Sequence, residues 1–332
     1  MNVVFRADGG TEIGYGHLMR ASAVATVLLE RGIDVTVATT TPSAVRESFP
    51  DGTETVSLPD RSDPEPLCQW LATNDAAVVY TDAYPVQTDY QREIRTHAKH
   101  VAFEDYAAYP IAADALINNN LYASGLDYSF TGPKPETYFG PKYALLREPI
   151  RQLTDREPPR RAVPEHAVVT MGGSDTTEET PSILRAFDRF DGRVEAIVGP
   201  GFDESLEERV RTTAAEVETE VRVTRDPDDL ADRLFAADFA VTTASSTTFE
   251  LFALGTPGII KPVVDHQERI ADEISDRDLG IVLDRDAGTD AFRRAIERYV
   301  TDSSLREEKQ DAGRALVDGR GGVRVADAIA GL

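Results

Sequence analysis

A glycine-rich turn, Arg6-Ala7-Asp8-Gly9-Gly10-Thr11-Glu12-Ile13-Gly14-Tyr15-Gly16, leads into His17, where an apolar helical pattern begins at Leu18 and continues through Ala21, Val24, Ala25 and Leu28. The first N–H groups of a helix are unpaired and carry partial positive charge, which disfavours an imidazolium. His17 is therefore expected to be neutral, the form that takes a proton from water or a hydroxyl. A plain capping role for His17 competes with that reading. Gly9, Gly10, Gly14 and Gly16 add weight to chemistry, because glycine lets backbone approach a ligand closely or adopt φ > 0.

Two turns in the second half fit an anion. Val168-Val169-Thr170 runs into Met171-Gly172-Gly173-Ser174-Asp175, and Val241-Thr242 runs into Thr243-Ala244-Ser245-Ser246-Thr247-Thr248-Phe249-Glu250. Small residues let backbone N–H groups reach phosphate oxygens, hydroxyls add donors, and a helix N-terminus favours negative charge. Together they read as a diphosphate cradle, although N-capping accounts for Ser and Thr at such places without any ligand. Glu250, three residues after Thr247, is either the acid of a capping box or a carboxylate for ribose hydroxyls. His266 and Gln267 open another helical pattern after an apolar strand and could bond sugar hydroxyls.

These residues need a scaffold that brings strand ends together. Apolar runs at 3–5, 34–38, 76–80, 101–103 and 115–117, separated by helical patterns, predict a parallel sheet with both faces covered. Ligands collect at the carboxyl ends of such strands, where Thr81-Asp82-Ala83-Tyr84, Glu104-Asp105 and Asn118-Asn119-Asn120 also lie. Residues 140–155, followed by Glu157-Pro158-Pro159-Arg160-Arg161, lose periodicity and read as a linker. Alternation then restarts with strands at 166–170, 194–198, 221–223, 239–242 and 258–260. The expected architecture is α/β: two Rossmann-like doubly wound domains facing a cleft, spanning residues 1–150 and 151–332. The last helix is a candidate for packing back on the first domain.

Composition narrows the function. The 332 residues carry 58 acidic and 35 basic side chains, a net charge of −23, with only five lysines. An acid-coated, lysine-poor surface suits a cytoplasm at high salt and argues against nucleic acid, which needs a basic footprint. No apolar run is long enough for a membrane span and no secretory leader is evident, so a cytoplasmic location without stable membrane insertion is expected. Cys68 is the single cysteine, which excludes an internal disulfide and a cysteine-cluster metal site. No Gly-x-Gly-x-x-Gly follows the first strand, no Walker turn exists, and the five histidines are scattered. Neither a cofactor nor a metal is expected.

The motifs occur in a familiar order: Arg6-x-Asp8, Ile13-Gly14-Tyr15-Gly16-His17-x-x-Arg20, Asp82-Ala83-Tyr84, Asn118-Asn119-Asn120-Leu121 and Gly140-Pro141-x-Tyr143-x-Leu145-Leu146-Arg147. Gly172-Gly173-Ser174-Asp175, Ser246-Thr247-Thr248-Phe249-Glu250-x-x-Ala253-Leu254-Gly255-x-Pro257 and Asp318-Gly319-Arg320-Gly321-Gly322 follow. In these the chain resembles the UDP-2,4-diacetamido-2,4,6-trideoxy-beta-L-altropyranose hydrolases of pseudaminic acid synthesis and the related spore-coat polysaccharide proteins. The resemblance implies a glycosyltransferase-B fold, with the second domain holding UDP and the first holding sugar. It implies a water activated by His17 that attacks the anomeric carbon, with inversion and loss of UDP. By the same resemblance Tyr84 lines the sugar site, Ser174, Thr247 and Thr248 hold diphosphate, Glu250 the ribose and Gln267 the sugar. Arg6, Asp8, Gly14, Gly16, Gly173, Ser246 and His266 complete the substrate-binding set. The chain departs from the family pattern at Gly9-Gly10, at Ala244-Ser245 and at His266. A glycosyltransferase of the same fold, a nucleotide-sugar epimerase and a non-catalytic nucleotide-sugar binding protein are the alternatives.

Overall fold

The computed structural model describes residues 1–10 and 13–332; Thr11 and Glu12 of the first turn lie outside the described residues. The elements run β1 (Asn2–Ala7), α1 (Gly16–Glu30), β2 (Asp34–Thr39), α2 (Pro42–Ser48), β3 (Glu54–Ser57), α3 (Glu65–Leu71), β4 (Val78–Asp82), α4 (Thr88–Arg95), β5 (Lys99–Phe103), β6 (Ala115–Asn118), β7 (Glu136–Phe139) and α5 (Glu148–Arg151). They continue with β8 (His166–Thr170), α6 (Thr180–Ala186), β9 (Arg193–Val198), α7 (Glu204–Glu216), β10 (Glu220–Arg225), α8 (Leu230–Ala236), β11 (Phe239–Thr243), α9 (Ser246–Leu254) and β12 (Gly258–Lys261). The last are α10 (Asp265–Asp276), β13 (Ile281–Val282), α11 (Thr289–Thr301), α12 (Ser303–Leu316) and α13 (Gly321–Ala330). Two compact units result: Met1–Glu148 with Gly319–Leu332, and Pro149–Asp318.

The first unit is built on a parallel sheet of order β3-β2-β1-β4-β5-β6-β7. Alternate residues of β1 face opposite sides: Val3, Phe5 and Ala7 pack with Leu18, Val24 and Leu28 of α1, whereas Val4 packs with Leu67 of α3 and Ile94 of α4. Burial on both faces is why β1 reads as an unbroken apolar run. The chain steps outward from β1 in both directions, so the neighbours β1 and β4 form the point where strand order reverses.

The edge strands β3 and β7 are largely exposed and carry Glu-Thr-Val-Ser and Glu-Thr-Tyr-Phe, and neither shows a strand signal in the sequence. The segment 140–155, expected as a linker, contains the division between the two units at Glu148 and Pro149, and it is packed: Ala144, Leu146, Ile150 and Leu153 are buried. Only Ile150 of these lies in a helix, one of four residues, and Ala144, Leu146 and Leu153 lie outside the 3₁₀ turn and that helix, so no period in the sequence marks their burial.

The second unit repeats the plan with a parallel sheet of order β10-β9-β8-β11-β12-β13, whose reversal lies between β8 and β11. Ala167, Val169 and Met171 pack with Ile183, Phe187 and Leu206 on one face. Among the described residues, no helix is long and apolar enough to cross a membrane.

Candidate functional site

At the β1/β4 reversal, parallel register sets Ala7 beside Asp82, the last residue of β4. Ligands of open α/β sheets bind at such points. After β1 the chain turns through a bridge between Gly10 and Gly14, whose two backbone hydrogen bonds span 3.2 and 2.7 Å. Gly10 and Gly14 hold φ of 138° and 87°, a region that side chains avoid, so the turn requires glycine there. Gly16 then opens α1, with Tyr15 as an N-cap that makes no side-chain capping bond.

His17 is therefore the second residue of the helix, and its side chain is engaged elsewhere than at the cap. Its Nδ1 lies 2.5 Å from Asp82 Oδ1. A bare ring nitrogen that close would set its lone pair against the carboxylate's, so the geometry places the proton on Nδ1 and leaves the Nε2 lone pair for chemistry. Burial works against the Asp82 carboxylate, but Arg20 and the hydrogen bond from His17 outweigh it and hold the carboxyl below its usual range. The Tyr84 ring meets the His17 ring edge-on at 4.6 Å and is 56% exposed. Partial loss of water and the Asp105 carboxylate push its phenol up to about 12, so it remains a hydrogen-bond donor.

The neighbouring rim is polar and interlinked. Arg20 Nη2 approaches Asp105 Oδ2 at 3.4 Å, and Asn120 Nδ2 donates to Asp105 Oδ1 at 2.8 Å. Asn118 Oδ1 accepts from the Asn120 amides, main-chain and side-chain, at 3.0 and 2.9 Å. Glu104, beside this group, accepts from the Tyr109 hydroxyl and is pushed up to about 8 by burial.

Arg6 and Asp8 lie inward. Arg6 is fully buried, with Nη1 at 2.7 Å from Asp8 Oδ2 and Nη2 donating to the Arg61 carbonyl at 3.0 Å. Asp8 also accepts from the Thr40 N–H at 2.7 Å and from the Thr39 and Thr40 hydroxyls at 3.0 Å each. Burial raises its carboxyl, and Arg6 with the Thr40 N–H more than offsets that. The pair ties the end of β1 to the end of β2.

In the second unit both anticipated turns stand at the β8/β11 reversal. Gly172 has φ of 86°, and Gly173 and Ser174 are exposed. Asp175 is buried and accepts from Glu179 N–H at 3.0 Å and Thr180 N–H at 2.8 Å, satisfying the first turn of α6. After β11, Ser245 caps α9, Ser246 is exposed and Thr247 half-buried. Thr248 is buried with its hydroxyl donated to the Ser245 carbonyl, so it shapes the turn. Because the cap is Ser245, Glu250 lies five residues beyond it and cannot close a capping box, which needs the third position. Gln267 accepts from Val263 N–H at 2.9 Å through Oε1, and its Nε2 has no partner among the described residues; His266 is exposed. No three His, Cys, Asp or Glu side chains among the described residues are grouped as a metal site.

The Gly172–Ser174 turn is braced by Gly199-Pro200-Gly201 after β9. Gly201 N–H donates to the Gly173 carbonyl at 2.8 Å, and a Cβ on Gly199 would come within 2.4 Å of that same oxygen. Gly199→Ala must therefore displace the turn, because the obstruction is backbone. Overpacking of this kind costs about 1–3 kcal/mol; under the expectation that this turn holds the diphosphate of UDP, UDP affinity falls about tenfold or more, with turnover at saturation nearly unchanged. Calorimetric UDP titration checks it; an unchanged Kd removes the turn from the nucleotide site.

Sequence reading passed over three residues here. Asp82 and Arg20 stand in the sequence motifs without an assigned role, and Asp105 is placed only at the carboxyl end of a strand. The signal within reach was spacing: Arg20 lies one helical turn from His17, so both must share a face.

No protein-family model matches the chain. Over 98% of its length, and 96% of the relative's, it is 24% identical to the spore coat polysaccharide biosynthesis protein SpsG of Bacillus subtilis. It is 28% identical to the UDP-2,4-diacetamido-2,4,6-trideoxy-beta-L-altropyranose hydrolase of Campylobacter jejuni, across 53% of this chain and 61% of that one. Among solved structures it is similar to MurG of Acinetobacter baumannii, with a TM-score of 0.72 and 13% identity over 100% of this chain and 99% of that one. A UGT transferase of Siraitia grosvenorii in complex with UDP gives a TM-score of 0.66 and 14% identity over 99% of both chains. The fold is that of the glycosyltransferase-B enzymes, two parallel-sheet α/β domains.

Proposed function

We propose that the chain hydrolyses a UDP-linked sugar at its anomeric carbon. The observation that carries this reading is the His17–Asp82 pair at the reversal of one sheet, in a chain whose other sheet presents two small, hydroxyl-bearing turns at its own reversal. Asp82 holds Nδ1–H, and Nε2 takes a proton from water as the water oxygen bonds to the anomeric carbon. The bond from that carbon to the diphosphate oxygen breaks on the opposite face, so configuration inverts and UDP leaves. The N-terminus of α9 with Ser246 and Thr247, and the exposed Gly173 and Ser174, spread the charge of the departing diphosphate, as preorganised donors do. Glu250 binds ribose hydroxyls, and the free amide of Gln267 binds the sugar. Arg6, Asp8, Gly14 and Gly16 fix the turn that delivers His17, and Thr248 fixes the start of α9. The hydrolase relative supports a diacetamido-trideoxy sugar as the donor.

The second reading is transfer to an acceptor hydroxyl, favoured by the glycosyltransferases among the similar solved structures. The same base would serve it. Incubating the protein with a panel of UDP-sugars, with and without glycan or lipid acceptors, separates the two. Release of UDP and reducing sugar without acceptor is the expected result; release only after an acceptor is added establishes transfer instead. His17→Asn is expected to lower turnover by about 10²–10⁴-fold, the usual worth of a general base, with UDP affinity held within about threefold. A large loss of UDP affinity in that variant would assign His17 to the nucleotide.

A further inference from the structure

Arg20 is a third member of the His17–Asp82 pair that the base mechanism leaves without a task. Its Nε donates to Asp82 Oδ2 and its Nη2 to Oδ1, each at 2.9 Å, a two-pronged grip on the carboxylate. The same Nη2 stands 3.1 Å from His17 Nδ1 and 3.4 Å from Asp105 Oδ2. The guanidinium lies over the Phe103 ring at 4.4 Å, which fixes its plane, and the side chain is 19% exposed.

Among the described residues, the following titratable and charged groups surround the His17–Asp82–Arg20 cluster. From β4 comes the Asp82 carboxylate, with the neutral Tyr80 phenol near Asp82 and Arg20, and from the turn after β4 the neutral Tyr84 phenol. From α1 comes Arg20, and from the turn after β5 the Asp105 carboxylate, with Glu104 behind it. Without the guanidinium, two carboxylates would attract a proton onto the ring and hold it there. With it, the Asp82 charge is matched, and a second positive charge on the ring would sit 3.1 Å from the first.

We propose that Arg20 is a positioning residue that keeps His17 available as a base, matching the Asp82 charge so that the pair orients the ring without trapping it as an imidazolium. The proposal rests on the reading of His17 as the base. Lysine is a poor substitute, because one ammonium cannot span both carboxylate oxygens or stack on Phe103.

The test compares wild type, Arg20→Met and Arg20→Lys by kcat and KM from about pH 5 to about pH 9, together with NMR titration of the His17 ring in ligand-free protein. In Arg20→Met the acid limb is expected to move up by about 1–3 pH units. The rate near pH 7 then falls by about 3–10²-fold and recovers toward pH 9, with KM nearly constant. Arg20→Lys restores part of the shift. A loss of equal size at every pH overturns the proposal and leaves Arg20 a structural residue. The NMR titration separates the two readings: an unmoved ring titration overturns the Arg20 proposal even in a fully active enzyme. A moved titration in a protein that cleaves no UDP-sugar sustains the charge-matching device and sinks the hydrolase reading. Should Arg20→Met fail to fold, Arg20→Gln carries the same comparison.

Discussion

Asp82→Asn is expected to lower kcat by about 10³–10⁴-fold while leaving UDP affinity and KM within about threefold, the scale seen when the carboxylate of a catalytic triad is made an amide. The substitution conserves shape and reverses a hydrogen bond. An Asn side chain can present its NH₂ group to His17 Nδ1, across the 2.5 Å contact now bridged by a proton from the ring. The ring then carries its proton on Nε2, and the atom that should take a proton from water becomes a donor. Arg20 keeps Asp105 as a partner at 3.4 Å, so the guanidinium is not left without a counterion. Because Asp82 acts only through His17, the double variant His17→Asn/Asp82→Asn should be no slower than His17→Asn alone by more than about threefold. Steady-state kinetics on the three variants, with UDP titration calorimetry, decides it. A fall in kcat below about tenfold, or additive losses in the double variant, would show that the carboxylate does not work through the ring.

What the sequence disclosed tracks how local the controlling physics is. The β1 and β8 strands and the turns after them were legible because strands buried on both faces are continuous apolar runs and the turns need glycine or small hydroxyl residues. The exposed edges β3 and β7 left no such trace. The role of Asp82 depends on β4 lying beside β1 with about seventy intervening residues between them, a pairing no window of sequence displays. Arg6 and Asp8 look like site residues because they are charged and flank the glycine turn, yet both are buried and bonded internally. For Arg6 its position in β1 could have indicated this, since it alternates with Phe5 and Ala7 and so enters the opposite packed face. Thr248 differs from Ser246 and Thr247 only in where the helix begins, and element boundaries are what sequence patterns resolve least.

Gly321→Ala tests how firmly the end of the chain supports the base. An added Cβ would lie 2.1 Å from the Ala144 carbonyl oxygen and 2.6 and 2.7 Å from Tyr143 C and Ala144 N, all backbone atoms that no rotamer change can clear. The next residue, Gly322, sits where its own Cβ would be 3.2 Å from the Ala23 carbonyl of α1. These two glycines let α13 approach both the 141–143 turn and α1. There Val325, Ala326 and Ile329 join the core that holds Val24, Val27 and Leu28, and Arg324 donates to the Lys142 carbonyl at 2.7 Å. If α13 moves enough to relieve the clash, Val325 and Ile329 lose much of their burial, each worth about 1.5–3 kcal/mol. A destabilisation of about 3 kcal/mol corresponds to a Tm lower by about 6–12 °C for a unit of this size. Because α13 packs on α1, the helix that carries His17, kcat should fall as well, without a matching loss of UDP affinity, since the turns proposed to hold UDP belong to the other unit. Gly331→Ala is the control: its Cβ would meet nothing closer than 3.4 Å, an ordinary contact, and its φ of −86° suits alanine. Thermal unfolding of both variants reads the difference. A Gly321→Ala Tm within about 2 °C of wild type would mean that α13 adjusts without strain and that its close approach is not what secures the helix carrying the base.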